Sequence, residues 1–323
     1  MSLITVIIPA YNEEKNILLI ATRLIEVLET RSYELELIFI NDGSKDNSEE
    51  VLKMLSNRFA NVYFINFSRN FGQQNALRAG YDYSTGDAVI CMDADLQNPP
   101  ELVLELIKKW EEGFDVVLCR RRKAKQHGGF LKEITSKFFY RLLTIISDTP
   151  IEHDSPDFRL IDRKLVNIIK NLPENDIFLR GLISWMGFQK TVVEYNHGLR
   201  INGNTSYSLP KMIKLATSGI TSFSVKPLHI AIYLGLFISC LSLSYIPYVF
   251  VKFFYGHTIS GWASLIVTVS FLGGLQLLIL GIIGLYLGKL FIQNKQRPEY
   301  IVKSTNMDNK INLNFELQKG RGI

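Results

Sequence analysis

Met92-Asp93-Ala94-Asp95-Leu96-Gln97-Asn98-Pro99-Pro100 is the stretch on which the reading of this chain turns. It follows Gly86-Asp87 and the apolar run Ala88-Val89-Ile90-Cys91, which is short and apolar enough to be a buried strand. Side chains two apart on a strand share a side. Asp93 and Asp95 are therefore expected to present two carboxylates together at the carboxyl end of a strand, where open α/β sheets take their ligands. Two hard oxygen donors at this spacing suit Mg²⁺ or Mn²⁺ carrying a diphosphate, and Gln97 can add a third oxygen. Pro99-Pro100 then opens a helix, because proline is tolerated in a first helical turn. Taken alone, the Asp-x-Asp reads equally as a solvated acidic loop. The neighbouring strand ends decide between the two.

Working outward, strands are expected at Ile4–Pro9, Leu35–Ile40, Val62–Asn66, Ala88–Met92 and Val116–Cys119. Helices are expected from Glu13 to about Thr30, then over Lys45–Asn57, Phe71–Tyr83 and Pro99–Glu112. Strands alternating with helices of this length predict an α/β fold, a mostly parallel sheet flanked by helices on both faces. Glu13, Asp42 and the Asp93/Asp95 pair all follow strand ends, and parallel strands bring those ends to one edge. Gly-x-Gly-x-x-Gly does not follow the first strand, which excludes the usual dinucleotide-binding oxidoreductase.

Two further stretches carry charge. Arg120-Arg121-Arg122-Lys123-Ala124-Lys125 holds five cations in six residues directly after the fifth strand. Such a run is a solvated face or, at this sheet edge, a phosphate or lipid-headgroup contact. In Asp154-Ser155-Pro156-Asp157-Phe158-Arg159, a turn leads into Phe-Arg-Leu and then a helix to Leu172, with Asp157 and Arg159 again two apart. They make a structural ion pair or a working one. A short apolar helix over Phe178–Met186 carries Trp185, read as core. The histidines show no metal-ligand spacing, and no Ser/His/Asp arrangement is visible.

The chain has 323 residues, of which 47% are hydrophobic, and its formal net charge is +5. Residues 1–204 read as one domain of ordinary size. Residues 205–227 follow as an amphipathic segment, with Leu209, Met212, Ile213, Ala216, Ile220 and Phe223 at helical spacing, suited to a membrane interface. Ile230–Val251 then runs 22 positions without a charge and Ala263–Gly288 runs 26. Both exceed the roughly 18 residues that suggest a bilayer span. Two transmembrane helices are expected, at 228–254 and 262–292, with a partly disordered tail over 293–323. Gly273, Gly274, Gly281, Gly284 and Gly288 suggest that the second packs closely on the first or on another copy of the chain. Lys211, Lys214 and Lys226 precede the spans and Lys289, Lys295 and Arg297 follow, which puts both termini in the cytoplasm. No signal peptide is expected at Ile4–Ile8. Cys91, Cys119 and Cys240 are read as free thiols in a reducing compartment. The modest charge, without a nucleic-acid motif, suits a membrane surface and excludes nucleic acid as partner.

Val6-Ile7-Ile8-Pro9-Ala10-Tyr11-Asn12-Glu13-Glu14, Asn41-Asp42-Gly43-Ser44, Asp93-Ala94-Asp95-Leu96-Gln97 and Asp157-Phe158-Arg159-Leu160 together resemble family-2 glycosyltransferases of the GT-A fold. More narrowly, the chain is similar to the bacterial polyprenyl-phosphate glycosyltransferases, the group that includes undecaprenyl-phosphate glucosyltransferases and dolichol-phosphate mannose synthase. The resemblance implies an inverting transfer of one hexose from a nucleotide sugar to undecaprenyl phosphate at the cytoplasmic leaflet of the bacterial inner membrane. UDP-glucose is the first candidate donor, ahead of UDP-N-acetylglucosamine, UDP-galactose and GDP-mannose. Pro9, Tyr11, Glu13 and Asp42 would hold the nucleoside. Asp93 and Asp95, with Gln97, would hold Mg²⁺ or Mn²⁺ and the diphosphate. Asp157 matches a position proposed as the base near the acceptor, and it could equally orient the acceptor phosphate. Arg121 and Arg200 match phosphate-contacting positions, and Arg159 could add positive charge. The chain departs from the family pattern at Asn98, where Asp is usual, and at Pro156, where Gly is usual. It departs again at Ser206, where a phosphate-binding Lys is common and where Lys211 or the basic run would have to compensate. A processive polysaccharide synthase is the alternative, but the Gln-x-x-Arg-Trp motif is absent. A non-enzymatic membrane scaffold is disfavoured because the acids remain.

Overall fold

Apolar runs too short for helices set the centre of this molecule. β1 (Ser2–Ala10) and β2 (Tyr33–Asn41) carry Ile4, Val6, Ile7, Ile8, Leu37, Ile38, Phe39 and Ile40, all with 0% exposure. Strands buried on both faces belong inside a parallel sheet. The computed structural model describes residues 1–29, 33–122, 157–174, 179–195, 225–255 and 261–307. The described residues fall into two units, one holding residues 1–122, 157–195 and 296–307, the other residues 225–295.

In the first unit the chain runs from β1 through α1 (Glu14–Glu29) to β2. It continues with α2 (Ser48–Arg58), β3 (Val62–Phe67), α3 (Gln73–Tyr83), β4 (Ala88–Cys91), α4 (Leu102–Glu111) and β5 (Val116–Arg121). After residue 156 come β6 (Arg159–Asp162), α5 (Arg163–Asn171), α6 (Leu179–Trp185) and β7 (Lys190–Tyr195). The eight-stranded sheet has the order β7-β5-β6-β4-β1-β2-β3-β8, where β8 is Val302–Thr305. β4, β1, β2 and β3 pair in parallel, as expected from the alternation of strands and helices. Ile4, Val6 and Ile8 meet Ile17, Ile20 and Leu24 of α1 and Leu106 of α4 in one buried cluster. On the other face α3 lies so close that a Cβ on Gly80 would stand 2.2 Å from Cγ2 of Ile7. Each such apolar side chain removed from water contributes about 1.5–3 kcal/mol.

Four features differ from the sequence reading. β6, expected as the lead into a helix, is a strand inserted antiparallel between β4 and β5, with Cys91 opposite Arg159 and Ala88 opposite Asp162. Asp162 ends it and caps α5 at once, accepting from the Lys164 backbone N–H at 2.9 Å. β7, in which buried Val193 and Tyr195 flank exposed Glu194, adds the outer edge beside β5. Trp185, read as core, is 63% exposed, because α6 buries Leu179, Leu182 and Ile183 instead. Finally, the residues placed in the tail return to the sheet. β8 runs antiparallel to β3, and Tyr300 and Met307 are buried. A polar four-residue strand has no apolar periodicity of its own, and its partner lies some 240 positions away, so nothing local announces it.

The second unit holds α7 (Lys226–Phe254), of 29 residues, and α8 (Trp262–Asn294), of 33. At 1.5 Å per residue these are about 44 and 50 Å long. Two helices therefore stand where two spans were expected. Among the described residues, however, one stretch, Phe271–Asn294, is long and apolar enough to cross a membrane, and α7 supplies the shorter apolar run Leu228–Ile238. Tyr233, Leu236 and Phe237 on α7 and Leu277, Leu287 and Phe291 on α8 are each at least 60% exposed. Apolar surface on this scale marks contact with lipid or protein. Among the described residues nothing lies within 4 Å of a Cβ built on Gly273, Gly274, Gly281, Gly284 or Gly288 of α8.

Candidate active site

The carboxyl ends of β1, β2 and β3 are tied by side-chain amides and hydroxyls. Asn12, in the left-handed region at φ 57°, donates its backbone N–H to Ser44 Oγ (2.9 Å), and its Oδ1 accepts from Lys45 N–H (2.8 Å). Asparagine tolerates that conformation better than most residues. Asn41 accepts from Ser44 N–H (3.0 Å) and donates to Asn66 Oδ1 (3.0 Å). Around this brace stand the residues expected at the nucleoside. Pro9 is half-buried and Tyr11 is 43% exposed. Glu13, also half-buried, accepts from Asn16 Nδ2 at 2.6 Å, one turn into α1.

Asp42 is 4% exposed and grips the loop after β3. Its two oxygens accept from Phe71 N–H (2.6 Å) and Gly72 N–H (3.0 Å). Burial pushes its pKa above the ordinary aspartate value, and the two N–H donors and the Arg69 charge offset part of that. Gly43 sits beneath the same loop at φ +66°, and a Cβ there would stand 2.3 Å from the carbonyl carbon of Arg69. Gly43→Ala is therefore expected to cost about 2–4 kcal/mol through backbone strain and overpacking. Thermal unfolding of the purified protein checks this, and a melting curve matching wild type would show that the loop yields freely.

β4 ends at Cys91, so Asp93 and Asp95 lie beyond the strand rather than on it. Alternation along a strand therefore does not set their directions; the turn that follows holds each by a different partner. Asp93 Oδ1 accepts from Gln73 Nε2 at 2.8 Å, at the start of α3. Asp95 Oδ1 accepts from the Gln97 backbone N–H at 3.1 Å, folding the turn back on itself. Leu96 between them takes φ 58°, a conformation that a branched aliphatic residue rarely adopts. Both carboxylates are half-buried, while Gln97 is 9% exposed. Asn98 is fully buried and accepts from Tyr195 Oη at 2.5 Å, so β7 pins the turn from the side. A turn then leads into α4, with Leu102 N–H reaching Pro99 O at 3.2 Å. No group of three or more His, Cys, Asp or Glu among the described residues makes a protein-only metal cage. Two carboxylates beside a phosphate-bearing ligand are a usual Mg²⁺ arrangement, so Asp93 and Asp95 fit such an ion by donor type.

Asp157 and Arg159 do come together. Asp157 is 3% exposed and its Oδ1 pairs with Arg159, itself 2% exposed. A third partner was not singled out from sequence. Arg180 of α6 donates from Nε to Asp157 Oδ1 (2.9 Å) and from Nη2 to Oδ2 (3.1 Å), a fork on one carboxylate. Burial alone would raise the Asp157 pKa, but the Arg159 and Arg180 charges outweigh it and hold the carboxyl below the usual range. An acid kept ionised by two arginines is a poor proton acceptor and a good anchor. The only sequence signal for Arg180 was a lone cation in an apolar seven-residue helix. The Cys91 thiol, buried against Tyr81, is pushed up to about 12, which removes it as a nucleophile at neutral pH.

Arg121 closes β5 opposite Tyr195, and its strand backbone is what the structure describes of it. Arg200, the Asp154–Pro156 turn, Lys123–Lys125, the 130–147 helix, the Gly203–Tyr207 stretch with Ser206, and the amphipathic residues up to 224 lie outside the described residues.

The family model for glycosyl transferase family 2 matches residues 5–169, from β1 through most of α5. The chain is 47% identical over 308 residues to the uncharacterized glycosyltransferase YkcC of Bacillus subtilis, covering 95% of each chain. It is 41% identical over 302 residues to the bactoprenol glucosyl transferase of Shigella phage SfV, covering 93% of this chain and 98% of that one. The prophage bactoprenol glucosyl transferase homolog of Escherichia coli is also 41% identical, over 301 residues and the same shares. Asp-x-Asp, the Asp42 loop and the Asp157 pair thus sit in a chain that belongs to glycosyl transferase family 2, as an enzyme of the polyprenyl-phosphate glycosyltransferase type.

Proposed function

We propose that this enzyme transfers a single glucosyl unit from UDP-glucose to undecaprenyl phosphate at the cytoplasmic face of a bacterial inner membrane, inverting the anomeric configuration. The observation that carries the sugar and the lipid acceptor is the end-to-end similarity to proteins named bactoprenol glucosyl transferase. The nucleoside would lie against Pro9, Tyr11, Glu13 and Asp42; a carboxylate has about four acceptor positions, so Asp42 can hold its loop and still receive a donor from the ligand. Asp93 and Asp95, with Gln97, would hold Mg²⁺ or Mn²⁺. When bound, the ion supplies Lewis-acid stabilisation of charge on the departing diphosphate. Arg159 and Arg180, with Arg121 and Arg200, contribute fixed positive charge to the same anionic region. Asp157 acts as the anchor that aims Arg180 rather than as a base. An acceptor phosphate is already largely anionic near neutral pH and needs little deprotonation. α7 and α8 would each cross the bilayer once, so that both termini stay on the cytoplasmic side and lipid and soluble donor meet by positioning.

Membranes carrying the chain, incubated with undecaprenyl phosphate and a panel of nucleotide sugars, are expected to form one new glycolipid. Its mass is that of hexosyl-phosphoundecaprenol, it appears with UDP-glucose, and EDTA abolishes it until Mg²⁺ or Mn²⁺ is restored. A polymeric product, or none with any donor, rules the reading out.

A further inference from the structure

The loop Ser68–Gln73 touches both carboxylate sites of the proposed donor cleft. Phe71 and Gly72 give their N–H groups to Asp42, and Gln73 gives its side-chain amide to Asp93. Its own backbone is irregular, with Gly72 at φ +97° and nothing within 4 Å of a Cβ built there. Such a loop takes its shape from what it leans on. It leans on the segment that follows α8 in the chain. The Ser68 N–H donates to Ile301 O at 3.0 Å. The ring of Tyr300, 5% exposed, stacks on Phe67 at 5.1 Å and 15°. Phe67 in turn meets Phe71 edge-on at 5.7 Å and 88°. Tyr300 is itself fixed by its hydroxyl, which donates to Asp82 Oδ2 of α3 at 2.9 Å. Beyond it, Ser304 accepts from Asn66 Nδ2 at 3.0 Å, extending the Asn41–Asn66 brace across β8.

We infer that Tyr300 is a positioning residue for donor binding: through Phe67 and Phe71 it holds the Ser68–Gln73 loop in the shape that presents Asp42 and Asp93 to a nucleoside diphosphate. This rests on the donor-site reading above. Aromatic pairs of this geometry are directional, so their loss frees the loop rather than merely thinning the core. Ordering a freed loop on binding weakens the donor, while the acceptor and the bound-state chemistry are unaffected.

The test uses the full chain in membranes or detergent, with UDP-glucose as donor and undecaprenyl phosphate as acceptor. Tyr300→Leu, which removes the ring, raises the donor KM about tenfold and leaves kcat and the acceptor KM near wild type. Hydrogen exchange at the Phe71 and Gly72 amides becomes faster in the same variant, while the β2 amides stay protected. Tyr300→Phe, which keeps the ring and loses the Asp82 bond, holds the donor KM within about twofold. Equal losses for donor and acceptor, or an unchanged donor KM, overturn the assignment. Should Tyr300→Leu not fold, Phe71→Leu breaks the same relay with β8 intact, and an unchanged donor KM there is equally fatal. A wild-type protein that binds no nucleotide sugar defeats the donor-site reading itself, a result distinct from a wild type and a Tyr300→Leu variant that bind equally well.

Discussion

Asp95→Asn lowers turnover at least about a hundredfold and leaves the melting temperature within about 2 °C of wild type. The asymmetry follows from what Asp95 does for the fold. Asp95 Oδ1 accepts from the Gln97 N–H at 3.1 Å, and an amide oxygen of the same shape can accept that bond equally well. What asparagine removes is the negative charge, on a half-buried group at the strand-end edge. Asp93→Asn behaves the same way, since its oxygen can still take the Gln73 amide proton. A divalent ion that the two would hold would lose a charged ligand in either variant, and with it the Lewis-acid stabilisation it would supply to a departing diphosphate. Manganese binding followed by electron paramagnetic resonance, with UDP present, gives a readout that does not depend on turnover. Wild-type activity and wild-type manganese affinity in Asp95→Asn would falsify the metal assignment.

Removing the Asp157 side chain has a different signature, because stability and activity fall together. In Asp157→Ala, Arg159 is left 2% exposed with its carboxylate gone. Stranding a buried charge in this way costs about 3–5 kcal/mol. Arg180 is about one-third exposed, so Arg180→Ala loses activity with a stability change under about 1 kcal/mol. The pH dependence separates an anchor from a base. The Asp157 pKa in the folded protein lies below its ordinary value of 3.8. A depressed folded pKa means that the stabilisation is fully present above that ordinary value and is lost as pH falls through the folded one. The rate profile should accordingly show no acidic limb from Asp157 above about pH 4. An acidic limb centred near neutrality that vanishes in Asp157→Asn would restore the residue to the role of base.

How much of this was legible beforehand depends on distance along the chain. β1, β2, β3 and β4 announce themselves as short apolar runs bounded by turn residues, and the acids that follow them are visible for the same reason. Asp42, Asp93 and Asp95 need no tertiary information to be suspected, and neither does the pairing of Asp157 with Arg159 two residues on. Arg180 was not legible. Its bond to Asp157 crosses 23 positions of sequence, and a cation in a short apolar helix has many possible partners. The Tyr195–Asn98 pin crosses 97 positions, and β7 was not foreseen at all. Trp185 was misjudged because apolar character measures preference for burial, whereas the face that α6 turns inward is set by its neighbours.

The amino-acid order alone determined the alternating α/β plan, the acidic strand ends and the two long apolar helices, because each depends on residues within a turn or a strand of one another. The folded chain decided which strands run antiparallel, that β8 closes the β3 edge, and that Arg180 joins Arg159 on Asp157. Those outcomes rest on hydrogen bonds and charge pairs between remote segments. Their energies exist only once the backbone has brought the partners together, so no local pattern can encode them.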